Sequence, residues 1–99
     1  MPNRIRVVSV KQGLGRAGCS PKGVQVQFQT SRTHPGDGNA DYMRSLFEER
    51  GFRTRPGNPV PDLPLALLCV WADGRQLESA EVFTILRDDP YIDLSDLRA

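Results

Sequence analysis

The residues best suited to covalent chemistry are one histidine and two cysteines. Cys19 lies in a glycine-rich stretch, and His34 lies beside Pro35 in a stretch typical of turns. A thiol nucleophile needs a base within hydrogen-bond reach, and a zinc site needs three or four ligands. The spacing of Cys19 and His34 indicates neither arrangement, so we predict a non-enzyme with no catalytic residue, no metal and no cofactor. A small thiol-dependent or nucleotide-dependent enzyme is the second alternative to the main prediction.

The second cysteine, Cys69, stands in the most apolar stretch of the chain, residues 65–71. Free cysteine is among the most frequently buried residue types, so we expect Cys69 to be a packed thiol in the core. Trp71 is expected beside it in the core or, if exposed, as the anchor of an interface. A disulfide with Cys19 would need a matched geometry, which nothing in the sequence predicts.

The glycines of residues 13–18 follow the pattern Gly-x-Gly-x-x-Gly after a predicted strand. In a dinucleotide-binding fold this pattern opens a helix. Here Pro21 and Gly23 follow, and then another strand, so that context fails. We predict a loop between two antiparallel strands. The functional alternative is an anion-binding loop that uses backbone N–H groups and Arg16.

Charge is distributed unevenly, although the net charge is only +1. Residues 1–32 contain six basic residues and no acidic one, whereas residues 61–99 contain three basic and eight acidic residues. Such asymmetry indicates an interaction surface. The candidate binding residues are Arg4, Arg6, Lys11, Arg16, Lys22 and Arg32.

The acidic end of the chain is the second candidate surface. It could attract a basic partner, and its spacing lacks the pattern of an EF-hand calcium loop. We call residues 1–32 the basic third. The sequence leaves open which of two groups it binds: the phosphates of a nucleic acid, or the acidic end of the same chain. The candidate acidic residues are Asp88, Asp89, Asp93 and Asp96.

Apolar periodicity predicts four strands and a helix in the first 71 residues. Alternation of apolar and polar residues is typical of half-buried strands. The stretch at 65–71, apolar on both faces, indicates a central strand that is covered on both sides, or on one side with an interface on the other. Asn39 is a suitable N-cap for a helix that ends before Gly51. The strands are predicted at 4–10, 24–30, 52–55 (a short strand or an extended exit from the helix) and 65–71, the helix at 40–50, and an extended connector at 56–64.

Residues 73–99 include segments that fit more than one kind of secondary structure. Asp73-Gly74 predicts a hairpin turn, with 75–77 as a returning strand. Residues 82–86 fit either a strand or a helix, and we favour a helix over 80–88 because Ser79 can cap it and Pro90 can end it. Residues 90–99 are expected to form a short helix or a loose tail.

Together these elements predict one small globular α+β domain spanning residues 1–99. Its architecture is expected to be a two-layer sandwich, with a mostly antiparallel sheet of four or five strands and two helices packed on it.

The predicted function is that of a non-catalytic binding protein that acts through a charge-polarised surface. It would be a protein-interaction module, an adaptor, or a bacterial or phage inhibitor of a larger complex. The first alternative is a nucleic-acid-binding protein that uses residues 4–32. We expect a protein partner, a cytoplasmic location, no membrane association and possible homodimers. The dominance of arginine over lysine indicates a GC-rich bacterial or phage genome.

Overall fold

The computed structural model describes residues 4–13, 19–29, 38–57 and 65–97. Within them the chain forms one five-stranded sheet and two helices, which confirms the predicted α+β class. The elements are β1 (Ile5–Gln12), β2 (Val24–Gln29), α1 (Gly38–Glu48), β3 (Arg53–Pro56), β4 (Leu65–Trp71), α2 (Ser79–Arg87) and β5 (Ile92–Asp93).

The strands lie in the order β3-β4-β2-β1-β5. All neighbours are antiparallel except β1 and β5, which run parallel. The expectation of a short helix or a loose tail at the C-terminus was wrong at Ile92 and Asp93, which pair with Ile5 and Arg6. The reason is tertiary: Ile92 is buried in the main core, and β1 offers it an open strand edge.

Both helices pack on the same face of the sheet. Val24, Val26 and Phe28 are buried there, as the alternation in β2 predicts. Met43 of α1 and Val82 of α2 belong to the same core cluster. We call the opposite side, which points away from both helices, the open face.

A β-bulge in β1 changes which side chains reach the open face. Val7 opposes Phe28, but the register then shifts so that Val10 opposes Val26 and lies on the core side. A bulge adds one residue to one strand and so reverses the alternation after it. Lys11 therefore lies on the open face.

The ends of α1 follow the predicted signals only in part. The helix starts at Gly38, and the Asn39 side chain donates a hydrogen bond to the carbonyl of Gln29 instead of capping the helix. Gly51 has φ of +88°, as predicted for a left-handed terminator, and the N–H of Phe52 returns to the carbonyl of Phe47.

The ambiguous stretch at 82–86 is helical, as favoured from the sequence. Its N-cap is Glu78 rather than Ser79, because the Glu81 carboxylate accepts the backbone N–H of Glu78 at 3.0 Å. Gly74 adopts φ of +76° in the predicted turn. The returning strand was wrong, however: it is reduced to one bridge between Ala72 and Arg75.

No helix in the described parts of the chain combines the length and apolar character needed to cross a membrane.

Candidate interaction surface on the open sheet face

Strand register determines which side chains share the open face. One row runs across four strands, from Arg55 through Cys69 and Gln25 to Lys11. A second pair in the same face joins Arg53 to Trp71. Because neighbouring strands lie about 4.8 Å apart, the backbones of Arg55 and Lys11 are about 14 Å apart.

The open face combines cations, amides and a small apolar patch. Lys11, Arg53 and Arg55 are exposed to solvent. Gln25 and Gln27 lie between the edge strands, and the apolar side chains come from β4. Such a face can bind an anionic surface through its cations.

Arg53 on the open face is paired with the Asp73 carboxylate at 2.7 Å, and two cations in or beside the helices are paired as well. Arg44 lies 3.8 Å from the Asp41 carboxylate and 4.0 Å from that of Glu48. Arg75 makes a two-pronged ion pair with Glu81 at 3.0 Å. This pairing raises the pKa of the Arg75 guanidinium and lowers that of the Glu81 carboxyl, mainly through their hydrogen bond. The helix layer therefore offers paired charges.

The four predicted basic residues that the structure describes do not converge on one point. Arg4 and Lys22 are exposed, at the start of β1 and in the loop before β2. Lys11 lies on the open face, about 16 Å along β1 from Arg6. Arg16 and Arg32 lie outside the described residues.

Arg6 contacts the acidic end of the same chain. Its Nε lies 3.3 Å from the Asp96 carboxylate and 4.0 Å from that of Asp93. Asp93 also accepts the backbone N–H of Ser95 at 2.9 Å, and this hydrogen bond is the main cause of its lowered pKa, with Arg6 adding to it. At Arg6, the basic third meets the chain's own acidic segment.

The four candidate acidic residues are divided among separate tasks. Asp89 accepts the Tyr42 hydroxyl at 2.8 Å and the backbone N–H of Tyr91 at the same distance. Asp88 lies 4.0 Å from Arg87. These two therefore belong to the end of α2, whereas Asp93 and Asp96 attach the C-terminal segment to β1.

Tyr42, which donates its hydroxyl to Asp89, has a strongly raised pKa. Burial, together with its hydrogen bond to Asp89, raises the pKa of the Tyr42 phenol to about 12. Its ring lies 5.5 Å from that of Tyr91. Tyr42 also lines a shallow groove of about 430 Å³ between α1 and the end of α2.

A disulfide joins Cys19 to Cys69, which corrects the expectation of free cysteines. Their Cα atoms are 5.3 Å apart, although 50 positions separate them in sequence. Cys69 is buried as expected, but the register of β4 turns it to the open face, away from the main core. It forms a second small cluster there with Cys19 and Leu67, and Trp71 packs against this cluster.

The remaining residues considered for chemistry are the possible metal ligands, His34 and the glycine pattern of residues 13–18. Groups of three or more possible metal ligands do not occur in the described parts of the chain. His34 lies outside the described residues, as do residues 14–18 of the glycine pattern. Gly13, at its start, donates its N–H to the carbonyl of Gly23 at 2.7 Å, which places both at the base of the loop.

Sequence reasoning missed Arg53 and Arg55 as site residues. Their spacing of two places both side chains on the same face of a strand, and that signal was readable. The pairing of β3 with β4 could not be predicted from the sequence. This pairing places Arg55 in the same cross-strand row as Lys11.

Comparison of the chain with protein-family models, with curated proteins and with solved structures found no match.

Proposed function

We propose that this chain is a non-catalytic binding protein that attaches to an acidic surface of a protein partner through its open face. The observation that carries the proposal is the arrangement of the sheet: both helices pack on one side, and the other side presents Lys11 and Arg55 to solvent, with Arg53 paired to Asp73 beside them. Adaptors and inhibitors of larger complexes act through surfaces of this kind, and a bacterial or phage origin fits the arginine-rich composition.

The main test compares charge reversals on the two layers. Lys11→Glu with Arg55→Glu alters the open face, and Arg44→Glu with Arg87→Glu makes the same change in net charge on the helices. Each protein is coupled to beads and exposed to lysate of the source cells at several salt concentrations, with melting temperatures measured alongside.

A protein partner is expected to bind the wild type and the helix variant and to be lost from the open-face variant. Complementary charge mainly controls association rate and specificity, so binding should weaken as salt rises. Retention of the same proteins by all three baits, or of none at any salt, would contradict the proposal.

Binding to single-stranded nucleic acid is the second candidate. The specific observation in its favour is Trp71, which lies on the open face beside Arg53, because nucleic-acid bases stack on aromatic rings flanked by cations. Against it, Arg53 is engaged at 2.7 Å with Asp73, and Trp71 packs on the disulfide cluster. A labelled oligothymidine separates the two candidates: quenching of Trp71 fluorescence and a steep loss of affinity with salt would favour nucleic acid.

The alternative of a thiol-dependent or nucleotide-dependent enzyme is tested separately. Cys19 is only 3% exposed and is bonded to Cys69, so this form presents no thiol at that position. Activity toward thiol substrates that disappears in Cys19→Ser would revive the alternative.

Location and assembly stay predictions. Disulfides persist in oxidising compartments, so the Cys19–Cys69 bond favours such a compartment over the cytoplasm expected from the sequence. Alkylation of free thiols in intact source cells decides between them, because a cytoplasmic protein would be trapped with both cysteines reduced. Sedimentation at low and high salt tests for homodimers, and the pairing of Arg6 with Asp93 and Asp96 of the same chain counts against a basic edge that meets the acidic tail of a second copy.

A further inference from the structure

The disulfide stands at the centre of the surface proposed above. Cys69 lies between Arg55 and Gln25 in the row that ends at Lys11. Cys19 is bonded to it, and Cys19 comes from the loop between β1 and β2. The bond therefore places a loop residue over the middle of the open face.

Cys19 covers an apolar patch in this position. Leu67 and Cys69 are 6% and 2% exposed, and they form a cluster with Cys19 that is separate from the main core. Their neighbours in β2 are the polar Gln25 and Gln27. If Cys19 moved away, the centre of the face would change from covered and polar to exposed and apolar, with the cations on either side of it.

The other described hydrogen bonds of this loop lie at its base or join it to the segment before α2, where the N–H of Leu77 donates to the carbonyl of Lys22 at 2.9 Å. Gly13 donates its N–H to the carbonyl of Gly23 at 2.7 Å, and Gly23 donates to that of Ser20 at 3.0 Å. Lys22 donates its N–H to the Ser20 hydroxyl at 3.2 Å. None of these bonds reaches β4, whereas the disulfide does. The cover over the patch is thus held by the covalent bond.

We propose that the Cys19–Cys69 disulfide makes binding through the open face depend on oxidation, so that the oxidised chain is the binding form and the reduced chain is not. This inference rests on the proposed function, because it concerns the same surface. It makes the two cysteines positioning residues of the site.

The redox step balances with a dithiol as reductant. One thiolate of the dithiol attacks a protein sulfur and forms a mixed disulfide, and its second thiol displaces the protein thiolate. The S–S bond of the protein breaks, two protein thiols form, and the dithiol gives up two protons and two electrons as it closes into its own disulfide. Because both sulfurs are buried, attack requires local opening of the loop.

The experiment uses Trp71, the single tryptophan of the chain, as the reporter. Oxidised protein, protein reduced with dithiothreitol, and a Cys19→Ala/Cys69→Ala variant are compared in the cold, where circular dichroism shows which are folded. A short labelled polyglutamate peptide serves as the acidic probe. We expect reduction to shift Trp71 emission to longer wavelength, to increase binding of a hydrophobic dye, and to weaken polyglutamate binding by about tenfold or more.

A linkage measurement keeps the proposal testable even if the reduced forms do not fold. A ligand that binds only the oxidised form must move the reduction midpoint toward stronger reducing conditions as its concentration rises. A midpoint that polyglutamate shifts supports the inference. Equal affinity of the oxidised and reduced forms, with an unshifted midpoint, overturns it and leaves the proposed function standing. Oxidised protein that does not bind polyglutamate is a failure of the proposed function itself.

Discussion

The Gln12 side chain of β1 holds the start of α2. Its Oε1 accepts the backbone N–H of Ser79 at 3.0 Å, and its Nε2 donates to the carbonyl of Leu77 at 2.5 Å and to that of Gly23 at 3.3 Å. A single amide thus satisfies one of the unpaired N–H groups at the helix start and connects it to the base of the loop.

Gln12→Ala is expected to lower the free energy of unfolding by about 2–3 kcal/mol, because partly buried backbone groups lose their partners. Gln29→Ala is the matched control, since that side chain is exposed at the end of β2. Urea unfolding of the two variants gives the comparison. Equal stability of both would show that water replaces the Gln12 amide without cost.

Loss of the disulfide should be the largest single effect on stability. A bond that closes a loop of 50 residues contributes about 4 kcal/mol by restricting the unfolded chain. For a domain of this size that corresponds to a fall of roughly 15–30 °C in melting temperature. The measurement is thermal unfolding of the wild type and of Cys19→Ala/Cys69→Ala, each with and without reductant. A reductant effect on the double variant, which has no thiol left, would contradict this interpretation.

Two glycines offer a matched pair of substitutions. A Cβ at Gly23 would lie 2.7 Å from the carbonyl oxygen of Val70 and 3.3 Å from the Cβ of Trp71. A Cβ at Gly38 meets nothing within 4 Å. Gly23→Ala should therefore destabilise the fold by about 1–3 kcal/mol through overpacking. Gly38→Ala, at the first residue of α1, should be neutral or stabilising by up to about 1 kcal/mol. Chemical denaturation of both variants measures which substitution costs more stability. A Gly23→Ala protein more stable than the wild type would contradict the close approach of Gly23 to Val70.

Tyr42 predicts a loss of stability at alkaline pH. Its folded pKa is raised from 10.0 to about 12, so the unfolded chain releases the phenolic proton first as the pH rises. Stability contributed by the neutral phenol is complete below pH 10 and decreases as the pH rises toward 12. Tyr42→Phe should remove this decrease, and Asp89→Asn should lower the pKa of Tyr42. Absorbance titration of phenolate formation in each protein is the measurement, and an unchanged titration in Asp89→Asn would exclude the Asp89 carboxylate as a cause.

The candidate site was only partly predictable. Lys11 was named from charge alone and lies on the open face, but a bulge that the sequence did not reveal put it there. Arg6 was named for the same reason, and its described contacts are with Asp93 and Asp96. Of the two binding partners left open by the sequence, a nucleic acid or the chain's own acidic end, Arg6 contacts the second. Arg55 was missed because its value depends on a cross-strand neighbour, and pairing between β3 and β4 cannot be read from either segment.

By itself the sequence determined the elements whose signals lie within a few residues of one another: the alternating strand of Val24–Gln29, the helix that Gly51 ends, and the helix before Pro90. These follow from backbone sterics and the periods of strand and helix. Only the tertiary structure decided the Cys19–Cys69 bond, the β5 strand and the alignment of Lys11 with Arg55. Each of these needs distant segments to meet, and the meeting is decided by how the whole chain buries its apolar surface.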